Sequence, residues 1–294
     1  MTITEPGIYR DVPVEEYDRI EAVRRTFLFH LFDRSPGHAV YRREHFIATE
    51  ALLDGVMTHT SLLQPEEFPR LYTVLPPFQD DPENVTKDGS IPKSPKATGY
   101  YKDKKAQFES MCGSAGTEIV DAAKYEMAYQ LGKRVREHPI TKRFFQRGSA
   151  NEATAVWEDK VTGVLCKARY DCLVEGSMAT AVDIKTTRDA HPRSFMWSVG
   201  KYGYAFQASF YLEGLRANEM SNANFLIVAC EKTPPFPVCV YELDTKTLEL
   251  GALHVAKALK TYKECVDKND WPYYGSGIEM LQASEWDLKE LEGE

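Results

Sequence analysis

Between Ala153 and Thr187 three strand-like segments follow one another with almost no chain between them, and this constrains the fold more than any other stretch. They read ATAVWED, then VTGVLCKARYDCLVE with Thr162-Gly163 at its turn, then ATAVDIKTT, each carrying β-branched or alternating apolar residues. Segments joined this tightly pair most simply as antiparallel neighbours, since a parallel return needs a crossover of roughly a dozen residues or more. The next stretch, YGYAFQASFYLEGLRA (202–217), is apolar around most of a helical circumference, which predicts a well-buried helix. Two more strands, NFLIVACE and VCVYEL, flank a TPPFP turn, and a helix is expected over 244–267. The class is therefore α/β, a central mixed β-sheet flanked by helices.

Upstream the pattern is helical. Residues 23–33 and 46–63 repeat apolar residues every three or four positions, with SPGH between them as a turn and cap. From 75 to 105 the composition shifts to Pro, Gly, Asp and Lys, predicting a long loop that is either a flap over a substrate channel or disordered. Residues 117–136 return to helix. The expected organisation is one domain over 1–294, with a helical region to 74, the loop, and a helix plus α/β core from 106. After 270 an irregular segment is expected to end in a short acidic helix.

The formal charge of −8 argues against a protein that coats nucleic acid nonspecifically, yet a basic channel can coexist with an acidic exterior. Lys133, Arg134, Arg136, Lys142, Arg143 and Arg147 cluster after a helical stretch, either as a solvated face or as a phosphate-contacting surface. The six cysteines are scattered without zinc spacing and read as free, mostly buried thiols. No run approaches the roughly 18 apolar residues of a membrane span, and the start lacks a basic-then-apolar signal, so a cytoplasmic location and no membrane partner are expected.

The chemistry concentrates in ARYDCLVEGSMATAVDIKTT. Alternation puts Asp183 and Lys185 on one face of a strand, and a hairpin would bring Asp171 toward Asp183. Two carboxylates and an ammonium suit phosphodiester hydrolysis. The carboxylates hold magnesium, which activates water and neutralises developing charge, while the lysine orients the water or stabilises the pentavalent transition state. Asp-x-Lys alone is more often a surface ion pair, but the apolar neighbours Ala181, Val182 and Ile184 make a lone charged pair costly here. Gln207 and Tyr211, four apart on the following helix, share a face that points back at the strand end.

With GVMTH at 55–59, the series Asp171, VDIKTT and QASFY resembles the RecB-like branch of the PD-(D/E)XK nuclease superfamily, in which a G-x-x-x-H, an Asp, a D-x-K and a Q-x-x-x-Y occur in that order. GIYRDVPVEEYDRI, SPGHAVYRR and ALLDGVMTHTSLLQPEEF extend the likeness over almost the whole chain to the RecE-type exonuclease (exonuclease VIII) nuclease domain of phages and prophages. Where such proteins often have a serine-rich S-x-S stretch, this chain has Arg24-Arg25-Thr26, and the large extra domain of the longest relatives is not expected.

The resemblance implies a PD-(D/E)XK nuclease fold. It implies Asp171, Asp183, the Ile184 backbone carbonyl and His59 as metal ligands, Lys185 as the catalytic lysine, and Gln207 and Tyr211 as supports of the centre or the DNA backbone. Thr186 and Thr187 would bond a phosphate or the ligand shell, with Lys133, Arg134 and Arg136 as further DNA contacts. Glu152 is either an accessory, metal-bridging acid or an exposed carboxylate at the start of its strand. The implied activity is a Mg2+-dependent exonuclease, with Mn2+ as substitute, digesting linear double-stranded DNA 5′-to-3′. Its 3′ tails would serve a RecT-type annealing protein, and the enzyme would be a homo-oligomer that forms a ring. Two other readings stand beside it: a single-strand or structure-selective nuclease of the same superfamily, and a catalytically silent DNA-binding protein.

Overall fold

The computed structural model describes residues 3–145, 149–275 and 277–283; Arg147 and the acidic stretch read as a terminal helix lie outside the described residues. In chain order the strands are β1 (Gly7–Tyr9), β2 (Val23–Arg24), β3 (Tyr72–Val74), β4 (Glu118–Val120), β5 (Ser149–Glu158), β6 (Leu165–Val174), β7 (Ala179–Thr187), β8 (Ala223–Glu231) and β9 (Val238–Glu242). The helices are α1 (Val14–Arg19), α2 (Arg25–Asp33), α3 (Pro36–Glu44), α4 (Glu50–Leu63), α5 (Phe68–Leu71), α6 (Gly99–Ala115), α7 (Ala122–Glu137), α8 (Pro192–Lys201), α9 (Tyr204–Ala217) and α10 (Thr245–Lys268).

The main sheet runs β1-β5-β6-β7-β8-β9, with β2 beside β6, while β3 and β4 form a separate parallel pair. Its hairpins are antiparallel, as the short connections require. The β7–β8 pairing is parallel, because α8 and α9 carry the chain across between them. The sheet is thus mixed, with helices on both faces. Ala181, Ile227 and Ala229 join Phe206, Phe210 and Leu215 of α9 and Leu28 of α2 in one core layer. Val182, Ile184 and Val228 join Leu62 of α4 with Leu131 and Val135 of α7 in the other. Gly132 lets α4 and α7 meet, since a Cβ there would lie 2.4 Å from the Ser61 Oγ.

One irregularity positions everything that follows. β6 pairs with β7 only through Cys172, Leu173 and Val174, and beyond Cys172 the two strands part. β7 stays fully paired with β8, whereas the vacated edge of β6 is taken lower down by β2, at Cys166 and Lys167. The sheet therefore forks between Asp171 and Ile184, and α2 starts at the fork because β2 runs directly into it. On the far side of β6 the ladder to β5 skips the Glu152–Asp171 pair, where Glu152 holds a left-handed φ of 56°. A residue with a Cβ in that region stores local strain, of order 1–3 kcal/mol.

Several boundaries differ from expectation for identifiable reasons. Residues 23–24 are strand rather than helix because β6 offers them a free edge. SPGH supplies the expected cap, but to a helix rather than a turn: Ser35 accepts the His38 N–H at 3.3 Å and Pro36 opens α3. The helix expected from 46 begins at Glu50, capped by Thr49, and the one expected from 117 begins at Ala122, capped by Asp121, after a short strand. The long loop ends at Thr98, which caps α6, so 99–105 are helical. Only Tyr101 and Cys112 of α6 are buried, which left it without a legible apolar stripe. What remains of the loop is pinned by Asn84, whose amide reaches the Gln79 and Pro95 carbonyls at 3.3 and 3.2 Å and whose oxygen accepts from Thr98 at 2.6 Å. The helix expected over 202–217 is preceded by a separate one, α8.

Candidate active site

The fork leaves the backbone of Ile184 facing a gap instead of a neighbouring strand, and two side chains fill the missing ladder positions. The Asp171 Oδ2 accepts the Ile184 N–H at 2.7 Å, and the His59 Nε2 lies 3.2 Å from the Ile184 carbonyl oxygen. The other ring nitrogen of His59 is 3.7 Å from the Asp171 Oδ1. His59 arrives from α4, on the opposite sheet face from α9, so the gap admits groups from both helical layers.

Asp183 stands on the α9 side of β7 and is 3% exposed. Gln207 Nε2 donates to its Oδ1 at 2.6 Å, and the Lys185 ammonium lies 2.7 Å from its Oδ2. Tyr204, Gln207 and Tyr211 recur at three and four residues along α9 and share its inner face. Lys185 sits 5.3 Å over the Tyr204 ring, and Tyr211 packs edge-on against Tyr170 and Phe225.

Burial raises the Asp171 carboxyl above its ordinary range, and the nearby Asp183 adds to this while His59 opposes it. Burial also holds the Tyr204 and Tyr211 phenols protonated. Two neighbouring carboxylates, one raised in this way, a strand carbonyl and an imidazole form an oxygen-and-nitrogen donor set that a divalent cation fits, since its charge relieves the repulsion between the acids. The set is not closed: among the described residues no three His, Cys, Asp or Glu side chains already converge as ligands, because both Asp183 oxygens face Gln207 and Lys185. Binding would therefore draw Asp183 partly away from Lys185.

The remaining candidates lie outside this group. Glu152 bonds Gln64 at the end of α4 at 2.9 Å and Arg169 at 3.0 Å. Thr187 donates to the Asp189 carbonyl at 3.0 Å and shapes the turn after β7, while Thr186 falls on the opposite strand face from Asp183 and Lys185. Lys133 and Arg134 are exposed on α7, but Arg136 turns inward and donates to the Ser61 and Leu62 carbonyls at the end of α4. Its charge caps a helix.

Arg25, inside the departing Arg24-Arg25-Thr26 segment, was not read from sequence as part of the site. Its guanidinium stacks 4.7 Å from the Phe29 ring centroid and donates to the Tyr202 and Gly203 carbonyls, the latter at 2.8 Å, where α9 begins. Burial lowers its basicity, and Asp183 and Tyr211 are among the charges and phenols that oppose this. Gly203 takes a φ of +63°, and a Cβ there would lie 2.1 Å from Phe29. Tyr204 was missed too, although its spacing from Gln207 was a usable signal. A cavity of about 980 Å³ lined by Phe27, Arg42, Arg43, Leu52 and Tyr262 includes none of the fork residues. Carboxylate placement is better evidence for phosphoryl chemistry than volume, which makes the fork the candidate site.

The chain matches the family described as "PDDEXK-like domain of unknown function (DUF3799)" over residues 28–284. A crystal structure from Eubacterium rectale named "Putative exonuclease" is similar with a TM-score of 0.57 and 14% identity over 95% of this chain and 98% of that one, which shows a shared fold. The structure of SSO0001 is similar over 57% of this chain and 72% of its own, at 16% identity and a TM-score of 0.28, too low to argue from. No curated protein matches in sequence.

Proposed function

Because the chain belongs to the PDDEXK-like family DUF3799, we propose that it is a divalent-metal-dependent DNA exonuclease that hydrolyses phosphodiester bonds of linear double-stranded DNA. The observation that carries this reading is the fork itself, where Asp171, Asp183, Lys185, His59 and the Ile184 carbonyl meet as β6 and β7 part. Asp171, Asp183, the Ile184 carbonyl and His59 would hold the ion, which supplies an activated water and charge neutralisation on the phosphoryl group. Gln207 fixes the rotamer of Asp183. The Lys185 ammonium lies beside Asp183, where it stabilises charge gathering on the phosphoryl oxygens. Tyr204 and Tyr211 line the same wall as neutral phenols, so they add no negative charge against an anionic substrate.

The finer reading follows the RecE-type resemblance. In it the preferred ion is Mg2+ with Mn2+ as substitute, polarity is 5′-to-3′, and a homo-oligomer in the cytoplasm passes 3′ tails to an annealing protein. No helix of the described residues is long and apolar enough to cross a membrane. The test is digestion of a linear duplex labelled separately at its 5′ and 3′ ends, with Mg2+ or excess chelator, by wild type and Asp183→Asn. Mg2+-dependent release of the 5′ label that the variant lacks is expected. Release of the 3′ label first would reverse the polarity, and wild-type cleavage matched by the variant would remove the fork from the chemistry.

A further inference from the structure

Among the described residues, helix α8 is covered on one side only. Phe195 is buried against Tyr204 and Tyr241, and Val199, four residues on, packs on the same core layer. On the other side Arg193, Trp197 and Lys201 recur every four residues and therefore form one stripe, all exposed, in the order cation, indole, cation. Trp197 is 76% exposed and its neighbour Met196 63%. A solvent-facing tryptophan beside a methionine on a ten-residue helix is an unusual cost for a surface that meets only water.

The stripe is continuous with the catalytic fork. Lys201 lies 5.5 Å over the ring of Tyr202, itself 48% exposed, and Tyr202 leans on Tyr204 with centroids 5.8 Å apart. The Tyr204 ring in turn carries Lys185 at 5.3 Å. Arg25 fixes this path by holding the Tyr202 and Gly203 carbonyls. An aromatic and basic track thus leads outward from the catalytic lysine along α8.

Resting on the nuclease reading of the fork, we propose that this face of α8 is a stacking platform for unpaired nucleotides of the DNA strand being processed. Trp197 takes a base on its indole face, and Arg193 and Lys201 on either side hold the phosphates. Alternating cations and aromatic faces suit nucleic acid, because the phosphates demand positive charge while any base offers a π-face. Bases inside an intact duplex already stack on each other, so the ligand is a frayed or single-stranded end. An apolar protein partner would be served poorly by a tryptophan flanked on both sides by cations.

The test measures binding by the full chain in excess chelator, so that no cleavage intervenes. Fluorescein-labelled single strands of about a dozen nucleotides, with bases or with a run of abasic sites, are titrated against wild type, Trp197→Ala, Trp197→Phe and the Arg193→Ala/Lys201→Ala pair. Stacking on one base predicts that Trp197→Ala binds the normal strand roughly five- to a hundredfold more weakly. It also predicts that wild type loses a similar factor on the abasic strand, that Trp197→Ala loses little more there, and that Trp197→Phe recovers most of the affinity. The paired cation variant is expected to weaken both strands alike and to flatten the salt dependence. Equal affinity of wild type for both strands, or an unchanged Trp197→Ala, overturns the platform, as does a Trp197→Ala effect that appears only as a change of oligomeric state in sedimentation. The nuclease reading fails separately, through absent cleavage, and base-dependent binding would survive that failure.

Discussion

Two lysines on adjacent strands of one sheet, the buried Lys167 on β6 and the half-buried Lys185 on β7, show how alike a structural cation and a candidate catalytic one look in sequence. Lys167 is 4% exposed and its ammonium donates to the carbonyls of Tyr17, Asp18 and Ile20 at 2.7, 3.2 and 2.9 Å. These carbonyls close the end of α1, so three donors meet three acceptors and the group is saturated as a clamp. The side chain of Lys185 is 22% exposed, and its charged partner is one carboxylate, Asp183, at 2.7 Å. The difference lies in the surroundings: β2 covers the lower edge of β6, whereas among the described residues no strand pairs with the edge above it. A lysine in a completed edge becomes structure, and one beside an open fork keeps capacity for chemistry.

The comparison breaks first on activity. Asp183→Asn and Lys185→Ala are expected to lower kcat roughly a thousandfold or more while the unfolding midpoint stays near wild type, as for groups that act in the transition state. Lys167→Met should do the reverse. It leaves three carbonyls without donors and is expected to cost about 2–4 kcal/mol in urea unfolding, with kcat of the folded fraction almost unchanged. If Lys167→Met abolished cleavage without loss of stability, the two lysines could not be divided in this way.

Smaller effects sharpen the division. His59→Ala and Gln207→Ala, which remove a candidate ligand and a carboxylate support, are expected to weaken Mn2+ binding roughly ten- to a hundredfold by calorimetry. An unaltered affinity in both would detach the fork from the metal. The smallest effect concerns pH. Burial, with the nearby Arg24, pulls the Lys167 ammonium down to about 8 from 10.5. Between those values the unfolded chain binds the extra proton, so this group makes stability rise with pH through that window. Lys167→Met is expected to remove that slope, seen as the difference between wild-type and variant unfolding free energies at pH 7.5 and 9.5.

Much of the site was legible because it obeys local periodicities. VDIKTT alternates along β7 over the limits read from sequence, 179–187, and the four-residue step from Gln207 to Tyr211 puts both on the inner face of α9. The six free cysteines, mostly buried, also matched. Arg25 was not legible as a site residue, since its role depends on β2 entering the edge of β6 and delivering α2 to the fork. Helix α8 was not separated from α9 in the sequence, although Pro192 in its first turn and the four-residue step from Phe195 to Val199 were usable signals. Arg136 looked like a DNA contact until α4 supplied carbonyls for it.

The sequence by itself determined the strand segments, the α/β class and the spacing that sets Asp183 and Lys185 on one face, because these follow from the two- and four-residue repeats of strand and helix geometry. Only the tertiary structure decided that β6 and β7 part at Asp171, that Ile184 then offers its backbone to Asp171 and His59, and that Lys167 is a clamp. Those facts depend on which edge is covered by a segment well over a hundred residues away in the chain, and no local repeat carries that information.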